Sequence, residues 1–296
     1  MENMEIGLNK KRIAANCVCC NSDNILKSPA ILMPFLSDRI FDWKPVCITD
    51  EWGLSTIENG MAYCICNSLQ CQNCGHLFLD IRFDDNEMNA LYSKYRESEY
   101  VKLREKYEPG YTQRNKNLDM VTPYIKKVES FLLNYVTLPI SVLDWGGDTG
   151  INTPFKKDIN KFHIYDISNK EVIKEAKKVD IGEALGTTYD LIVCSNVIEH
   201  IPYPTEIMLD IRSVMSDKSI LYVEVPYELI IQKNDSKKDL YKNKKHWHEH
   251  INFYTKNSLK ILAANCGFEV IAIKEMKVSS DKEGSPYILQ LACRVK

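Results

Sequence analysis

Residues 141–150 read SVLDWGGDTG, an apolar run that ends in Asp144 and passes directly into Gly146, Gly147 and Gly150. The run has the composition of a buried strand, and glycines let the backbone turn tightly and come close to a ligand. From Ser141 onward short β-rich apolar runs alternate with amphipathic helical ones, the pattern of an open, mostly parallel α/β sheet. Strands are expected at 141–145, 162–167, 189–196, 219–225, 268–276 and 287–295, with a weak further one near Asp180. Helices are expected near 169–178, 204–215 and 256–266, the last stopped by Gly267. The fold class is therefore a Rossmann-like α/β sheet, mostly parallel and seven-stranded.

In doubly wound sheets the ligand lies beyond the carboxyl ends of the strands, and an acid ending the second strand can grip a ribose diol. Asp166 stands there, 22 residues after Asp144. Together these features point to a nucleoside-containing ligand, although the glycine loop alone is also compatible with an ordinary tight turn. The spacing of Gly146, Gly147 and Gly150 does not supply the dinucleotide fingerprint G-x-G-x-x-G.

Eight of the eleven cysteines fall within the first 74 residues. Cys17-x-x-Cys20 and Cys71-x-x-Cys74 each let one tight turn direct two sulfurs at a common centre, so four thiolates predict a structural zinc ion. The long gap between the pairs makes Cys64, Cys66 and His76 possible substitute ligands. Otherwise Cys19, Cys47, Cys64 and Cys66 are small buried residues. The chain thus divides into a zinc-binding module (1–80), a helical linker or lid (81–135) broken at Pro109-Gly110, and a cofactor-binding domain (136–296).

Charge narrows the partners. With 38 basic and 40 acidic residues the net charge is −2, which argues against a nucleic-acid partner. No apolar run reaches the length of a membrane span, and the N-terminus has no signal-peptide core, so a cytoplasmic location is expected. The lysine-rich stretch 233–245 reads as a loop.

Three of the six histidines fall in His246-Trp247-His248-Glu249-His250. On extended backbone His246, His248 and His250 share a face and could hold a divalent cation. An imidazole here could equally accept a proton near neutral pH, or the run could be a surface loop.

Residues 142–150 resemble the first motif of class I S-adenosylmethionine (SAM)-dependent methyltransferases, apolar–apolar–Asp–x–Gly–x–Gly–x–Gly, with Asp148 at the usual middle glycine. Residues 189–215, with Val197-Ile198-Glu199-His200-Ile201, resemble the stretch of that family in which an apolar strand leads into a helix. The resemblance implies SAM held by Asp144, Gly146, Gly147, Asp148, Gly150, Asp166, Ser195, Asn196 and His200, with Asp180 on the adenine side.

The two cysteine pairs ahead of such a domain further resemble bacterial sugar methyltransferases that modify nucleotide-linked deoxysugars, from about Cys17 to the C-terminus. This implies zinc on Cys17, Cys20, Cys71 and Cys74, and a small carbohydrate-type acceptor: a sugar, sugar phosphate or nucleotide-sugar, such as a surface-polysaccharide precursor. Those enzymes usually carry a further C-terminal α/β domain, which residues 136–296 do not accommodate beside a cofactor domain, so O-methylation fits as well as C-methylation. Their Tyr-His-Glu-His segment corresponds to Trp247-His248-Glu249-His250, which implies His250 as general base, with Glu249 as its supporter or a substrate contact and His248 beside them. Trp247 replaces the tyrosine and offers no phenol. Two other readings stay open: an RNA or protein methyltransferase gripping its target with the zinc module, and a non-catalytic SAM-fold binding protein.

Overall fold

A computed structural model of the chain describes residues 11–53, 56–118, 120–168, 170–233, 239–278 and 286–296. The N-terminal half contains β1 (Ile25–Leu32), α1 (Pro34–Phe41), β2 (Val46–Ile48), β3 (Gly60–Ala62), β4 (Ile65–Cys71) and β5 (Leu77–Leu79). Four helices follow: α2 (Asp85–Tyr92), α3 (Ser98–Tyr107), α4 (Tyr111–Leu118) and α5 (Ile125–Leu132). The remainder begins with β6 (Ile140–Trp145), β7 (Ile159–Tyr165), β8 (Lys177–Lys178), α6 (Ile181–Leu185), β9 (Tyr189–Ser195) and α7 (Pro204–Ser213). It ends with β10 (Met215–Pro226), α8 (Leu229–Gln232), α9 (Leu240–Asn243), β11 (His246–Trp247), β12 (Asn252–Phe253), α10 (Lys256–Asn265), β13 (Phe268–Lys277) and β14 (Tyr287–Val295). Among the described residues no helix is long and apolar enough to cross a membrane.

Seven strands form the main sheet in the order β13-β14-β10-β9-β6-β7-β8. The strands from β10 to β8 pair in parallel, and β14 runs antiparallel to both its neighbours. The central strands are buried on both faces, which explains why β6 and β9 read as near-continuous apolar runs. The α/β class and the seven-stranded sheet agree with the sequence expectation. Gly267, at φ +81°, ends α10 in the left-handed conformation expected of a helix stop.

Two expectations need correction. The helix predicted at 169–178 does not form: residue 169 lies outside the described residues, 170–176 are irregular, and Lys177–Lys178 pair with β7. Tertiary bonds take the place of helical ones here, since Ile173 N–H donates to the carbonyl of Thr149 in the glycine loop and Val179 N–H to that of Ile164. Asp180 caps α6 by accepting from Glu183 N–H at 2.8 Å. The first linker helix, expected to run unbroken to Pro109, divides at 93–97, where Lys94 (φ +51°) and Arg96 (φ +62°) are left-handed. Of the lysine-rich stretch expected as a loop, 234–238 lies outside the described residues, and α9 forms a turn of helix within the stretch.

Strands β1, β4 and β5 share a sheet with two strands from later in the chain. Their sheet has the order β11-β1-β4-β5-β12, so the histidine-rich stretch supplies an edge strand on each side. Ile31 and Leu32 pair with His246 and Trp247, and Leu77 and Phe78 with Phe253 and Asn252. One apolar cluster contains Cys17, Val18, Cys71 and Cys74 together with Met208, Tyr254, Leu262 and Cys266. The fold thereby brings the histidine stretch to the mouth of the main sheet.

Candidate active site

After β6 the chain turns through Gly146 (φ +79°) and Gly147. A Cβ on Gly146 would lie 2.4 Å from Val197 Cγ2, and one on Gly147 would lie 2.5 Å from Asp144 Cγ, so neither position has room for a side chain. Asp148 adopts φ +50°, the conformation for which glycine is usual and which aspartate tolerates. Its N–H donates to Asp166 Oδ2 at 2.8 Å, and its carboxylate accepts from Arg96 Nη1 (2.9 Å) and Lys170 Nζ (3.2 Å). Asp144 is buried and accepts from the Thr153 hydroxyl; burial pushes its carboxyl up to about 7.

Because Arg96 belongs to the helical segment, its ion pair latches that segment to the glycine loop. Removing it by Asp148→Gly or Arg96→Ala is expected to weaken binding of the SAM that the sequence motif implies by up to about tenfold, with the double variant no worse than the poorer single one. Calorimetric titration of the three variants checks this, and additive losses would show that no latch exists.

A cleft of about 300 Å³ opens at the carboxyl ends of β6, β7 and β9. Asp144, Gly146, Gly147, Asp148, Asp166, Ser195, Asn196 and His200 all line it. Gly150 does not; a Cβ there would lie 2.3 Å from Ile164 Cδ1, so it serves packing beneath the loop. Asp180, at the cap of α6, is likewise absent from the lining. The helical segment covers the cleft with Tyr92, Tyr95, Arg96 and Tyr124. On its floor Glu224, raised by burial, accepts from Tyr222 (2.6 Å), Tyr124 (2.9 Å) and Asn196 (3.1 Å). These covering residues carry no motif, and no signal in the sequence marked them.

At one end of the cleft His200 meets His250, with ring centroids 4.7 Å apart. His200 Nδ1 lies 3.0 Å from the carbonyl oxygen of Glu249. A carbonyl only accepts, so Nδ1 carries the proton and Nε2 keeps its lone pair. Burial, followed by the charge of His250, lowers His200 to about 4. His250 Nδ1 is 3.0 Å from Glu228 Oε1. Burial alone would lower His250, but the Glu228 hydrogen bond and the charges of Glu199, Glu228 and Glu249 outweigh it, so the imidazole is raised.

Glu199 is 1% exposed, and neither carboxylate oxygen has a hydrogen-bond partner among the described residues. Burial pushes it up to about 8, against the pull of His250. The sequence placed Glu199 in the Val-Ile-Glu-His run without assigning it a role.

Glu249 raises His250 through its charge, while its carboxylate oxygens are engaged elsewhere. Both its oxygens are held by Arg104 at 2.7 Å, and Arg104 itself lies 4.2 Å above the Tyr111 ring. Burial would raise the Glu249 carboxyl, but Arg104 holds it down at about 2. The carboxylate against His250 is Glu228, which no sequence motif marks. His248 Nδ1 accepts from His250 N–H at 3.2 Å, and the two rings are 5.0 Å apart. The shared face of three histidines does not form, because β11 ends at Trp247 and a turn follows. His246 is exposed and stands apart. Trp247 is fully buried and donates from Nε1 to Ser68 Oγ at 2.8 Å, in the core of the five-stranded sheet rather than in the cleft.

Cys17, Cys20, Cys71 and Cys74 converge, with their sulfurs within 4.8 Å of one another and Cys17–Cys74 and Cys20–Cys71 at 3.5 Å. Bonds of roughly 2.3 Å to one tetrahedral ion set sulfurs about 3.8 Å apart, so the donor set fits a closed four-thiolate centre. Cys64, Cys66 and His76 are not part of it. The cluster is tied to the main domain by Thr255 and Asn257, which donate to the carbonyl of Cys74, and by Asn265, which donates to that of Cys19.

Residues 114–273, more than half of the chain, match the family described as a methyltransferase domain. The chain belongs to this methyltransferase family. No curated protein matched it by sequence. Among solved structures it is similar to a Burkholderia thailandensis 1,6-didemethyltoxoflavin-N1-methyltransferase with bound S-adenosylhomocysteine, at 13% identity and TM-score 0.48, covering 76% of this chain and 97% of that one. A Synechocystis magnesium protoporphyrin IX methyltransferase with bound SAM shows 14% identity and TM-score 0.47, covering 72% and 98%. A glycopeptide N-methyltransferase complexed with sinefungin shows 10% identity and TM-score 0.44, covering 60% and 96%.

Proposed function

We propose that this methyltransferase transfers the methyl group of SAM to a hydroxyl of a small carbohydrate-type acceptor: a sugar, sugar phosphate or nucleotide-sugar. The observation that carries the reading is one continuous cleft with the glycine loop, Asp144 and Asp166 at one end and His200 at the other, where the His250 ring packs behind it at 4.7 Å between centroids. Asp166 suits the ribose of the cofactor, and Asp144 with the Gly146-Gly147 backbone suits its methionine end. The acceptor end is aromatic and polar, with the buried hydroxyl of Tyr92 lacking a partner among the described residues, which favours a small polyhydroxylated molecule.

Chemically, an acceptor hydroxyl must lose a proton as its oxygen attacks the sulfonium methyl. His250, with Glu228 on its other nitrogen, is the imidazole suited to take it. Holding the two substrates in line supplies most of the remaining acceleration. The four-cysteine cluster would hold zinc through Cys17, Cys20, Cys71 and Cys74; with no open coordination position, the ion would brace the fold and take no part in transfer.

Isotope-labelled SAM, incubated with the full chain and a panel of nucleotide sugars and sugar phosphates, tests the reading by mass spectrometry of what gains the label. Label in at least one of these acceptors is the expected result. Label only in RNA or protein would overturn the acceptor class, and failure to bind SAM would overturn the enzyme reading itself.

A further inference from the structure

Base catalysis by His250 leaves Glu199 unexplained. A carboxyl group that is 1% exposed, with neither oxygen hydrogen-bonded among the described residues, has given up its hydration with no described partner in return. Both of its neighbours are imidazoles whose Nδ1 is already engaged: His200 by the Glu249 carbonyl and His250 by the Glu228 carboxylate, each at 3.0 Å. Each acceptor fixes the proton on Nδ1 and leaves Nε2 with its lone pair, and His200 Nε2 lies 3.8 Å from Glu199 Oε1. Outer partners of this kind, a carbonyl or a carboxylate behind each ring, are what orient metal-binding histidines. One ligand atom from each of Glu199, His200 and His250 lies within 4.8 Å of the others. With Glu228 behind, two carboxylates stand against the two positive charges of a dication.

We infer that Glu199, His200 and His250 bind one divalent transition-metal cation, and that two adjacent hydroxyls of the acceptor complete its coordination. Two imidazoles and one carboxylate suit manganese, iron, cobalt or zinc and occupy only part of a coordination sphere. His200 lines the cleft, so the remaining positions are open to an acceptor there. This rests on the methyltransferase reading and recasts one step of it: with the cation in place His250 is a ligand, and the cation acidifies the hydroxyl. The O–H bond breaks with its proton released to solvent, the alkoxide oxygen bonds to the methyl carbon, and the carbon–sulfur bond breaks to leave S-adenosylhomocysteine. The acceptor narrows to a vicinal diol.

The test is a titration with cobalt(II) of the full chain carrying one zinc per chain, the equivalent taken by the four cysteines, followed by visible absorption, with SAM affinity measured on the same samples. One cobalt per chain is expected, with d–d bands but no thiolate charge-transfer band, because the cysteines are already filled. Outer partners typically contribute about 10–100-fold to metal affinity, so Glu228→Gln is expected to weaken cobalt binding by that factor, and Glu199→Gln and His250→Gln by more, with SAM affinity unchanged. Absence of a cobalt spectrum in a protein that binds SAM, or a spectrum identical in all three variants, overturns the cation site alone. Absence of SAM binding by the unsubstituted chain overturns the reading beneath it. A methyl acceptor without adjacent hydroxyls would overturn the diol.

Discussion

Replacing Cys74 by serine is expected to abolish the zinc binding proposed for the four-cysteine cluster and to unfold the N-terminal sheet with it. A structural zinc ion contributes about 10–16 kcal/mol of apparent binding free energy in small domains, as large as the roughly 5–15 kcal/mol that keeps a whole domain folded. The effect should not stop at residue 80. Cys74 shares one core cluster with Met208 of α7 and with Leu262 and Ala263 of α10. Its carbonyl also accepts from Thr255 and Asn257, at the start of α10. Loss of the centre therefore removes a wall from the cofactor domain itself, so both parts should melt together, more than 10 °C (an order-of-magnitude expectation) below the intact protein. Cys47→Ser serves as control: this thiol is exposed and lies outside the cluster, and a surface change of this kind stays within about 0.5 kcal/mol. Metal content by emission spectroscopy and thermal unfolding by circular dichroism check both. A Cys74→Ser protein that keeps its midpoint would rule out a bracing role.

The parts of this molecule that were legible in the sequence are those whose constraints are local. Gly146 and Gly147 announce the loop because a side chain at either would collide within the turn itself. The two C-x-x-C pairs announce a shared centre because each pair aims its own sulfurs. The central strands announce themselves because burial on both faces demands unbroken apolar runs. What escaped is what only the tertiary fold assembles. β11 and β12 are two residues each, too short for any periodicity, and they become strands only by pairing with β1 and β5. For the same reason Trp247, which the family resemblance places beside the base, belongs instead to the core of the N-terminal sheet.

Sequence neighbours also mislead about chemical partners. Glu249 adjoins His250 in the chain, yet its carboxylate is taken by Arg104, 145 positions away, while Glu228 reaches the imidazole from the far side. The 169–178 segment fails as a helix on similar grounds, since its amphipathic composition yields to edge-strand pairing with β7 and a bond to the glycine loop.

His250→Ala is expected to keep SAM affinity within about threefold and to lower turnover by about 10²–10⁴-fold, the range attributed to a positioned proton-transfer group. Binding survives because His250 is not part of the cleft lining, which carries the glycine loop and Asp166. The surrounding backbone survives because it is held without this ring. Trp247 anchors the loop to Ser68, Arg104 grips Glu249, and Ile251 and Asn252 N–H groups donate to the Glu199 carbonyl at 2.8 and 3.0 Å. Turnover falls because both ways of losing the hydroxyl proton, to the imidazole or to solvent from a hydroxyl acidified by a cation the imidazole holds, need this side chain. His246→Ala provides the contrast, since that ring is exposed at the sheet edge and outside the cluster, and less than a twofold change is expected. Calorimetric SAM titration and single-turnover transfer of a labelled methyl group measure the two quantities separately. Unchanged turnover in His250→Ala would remove the imidazole from the chemistry and leave Glu199 and His200 to account for it without a third partner.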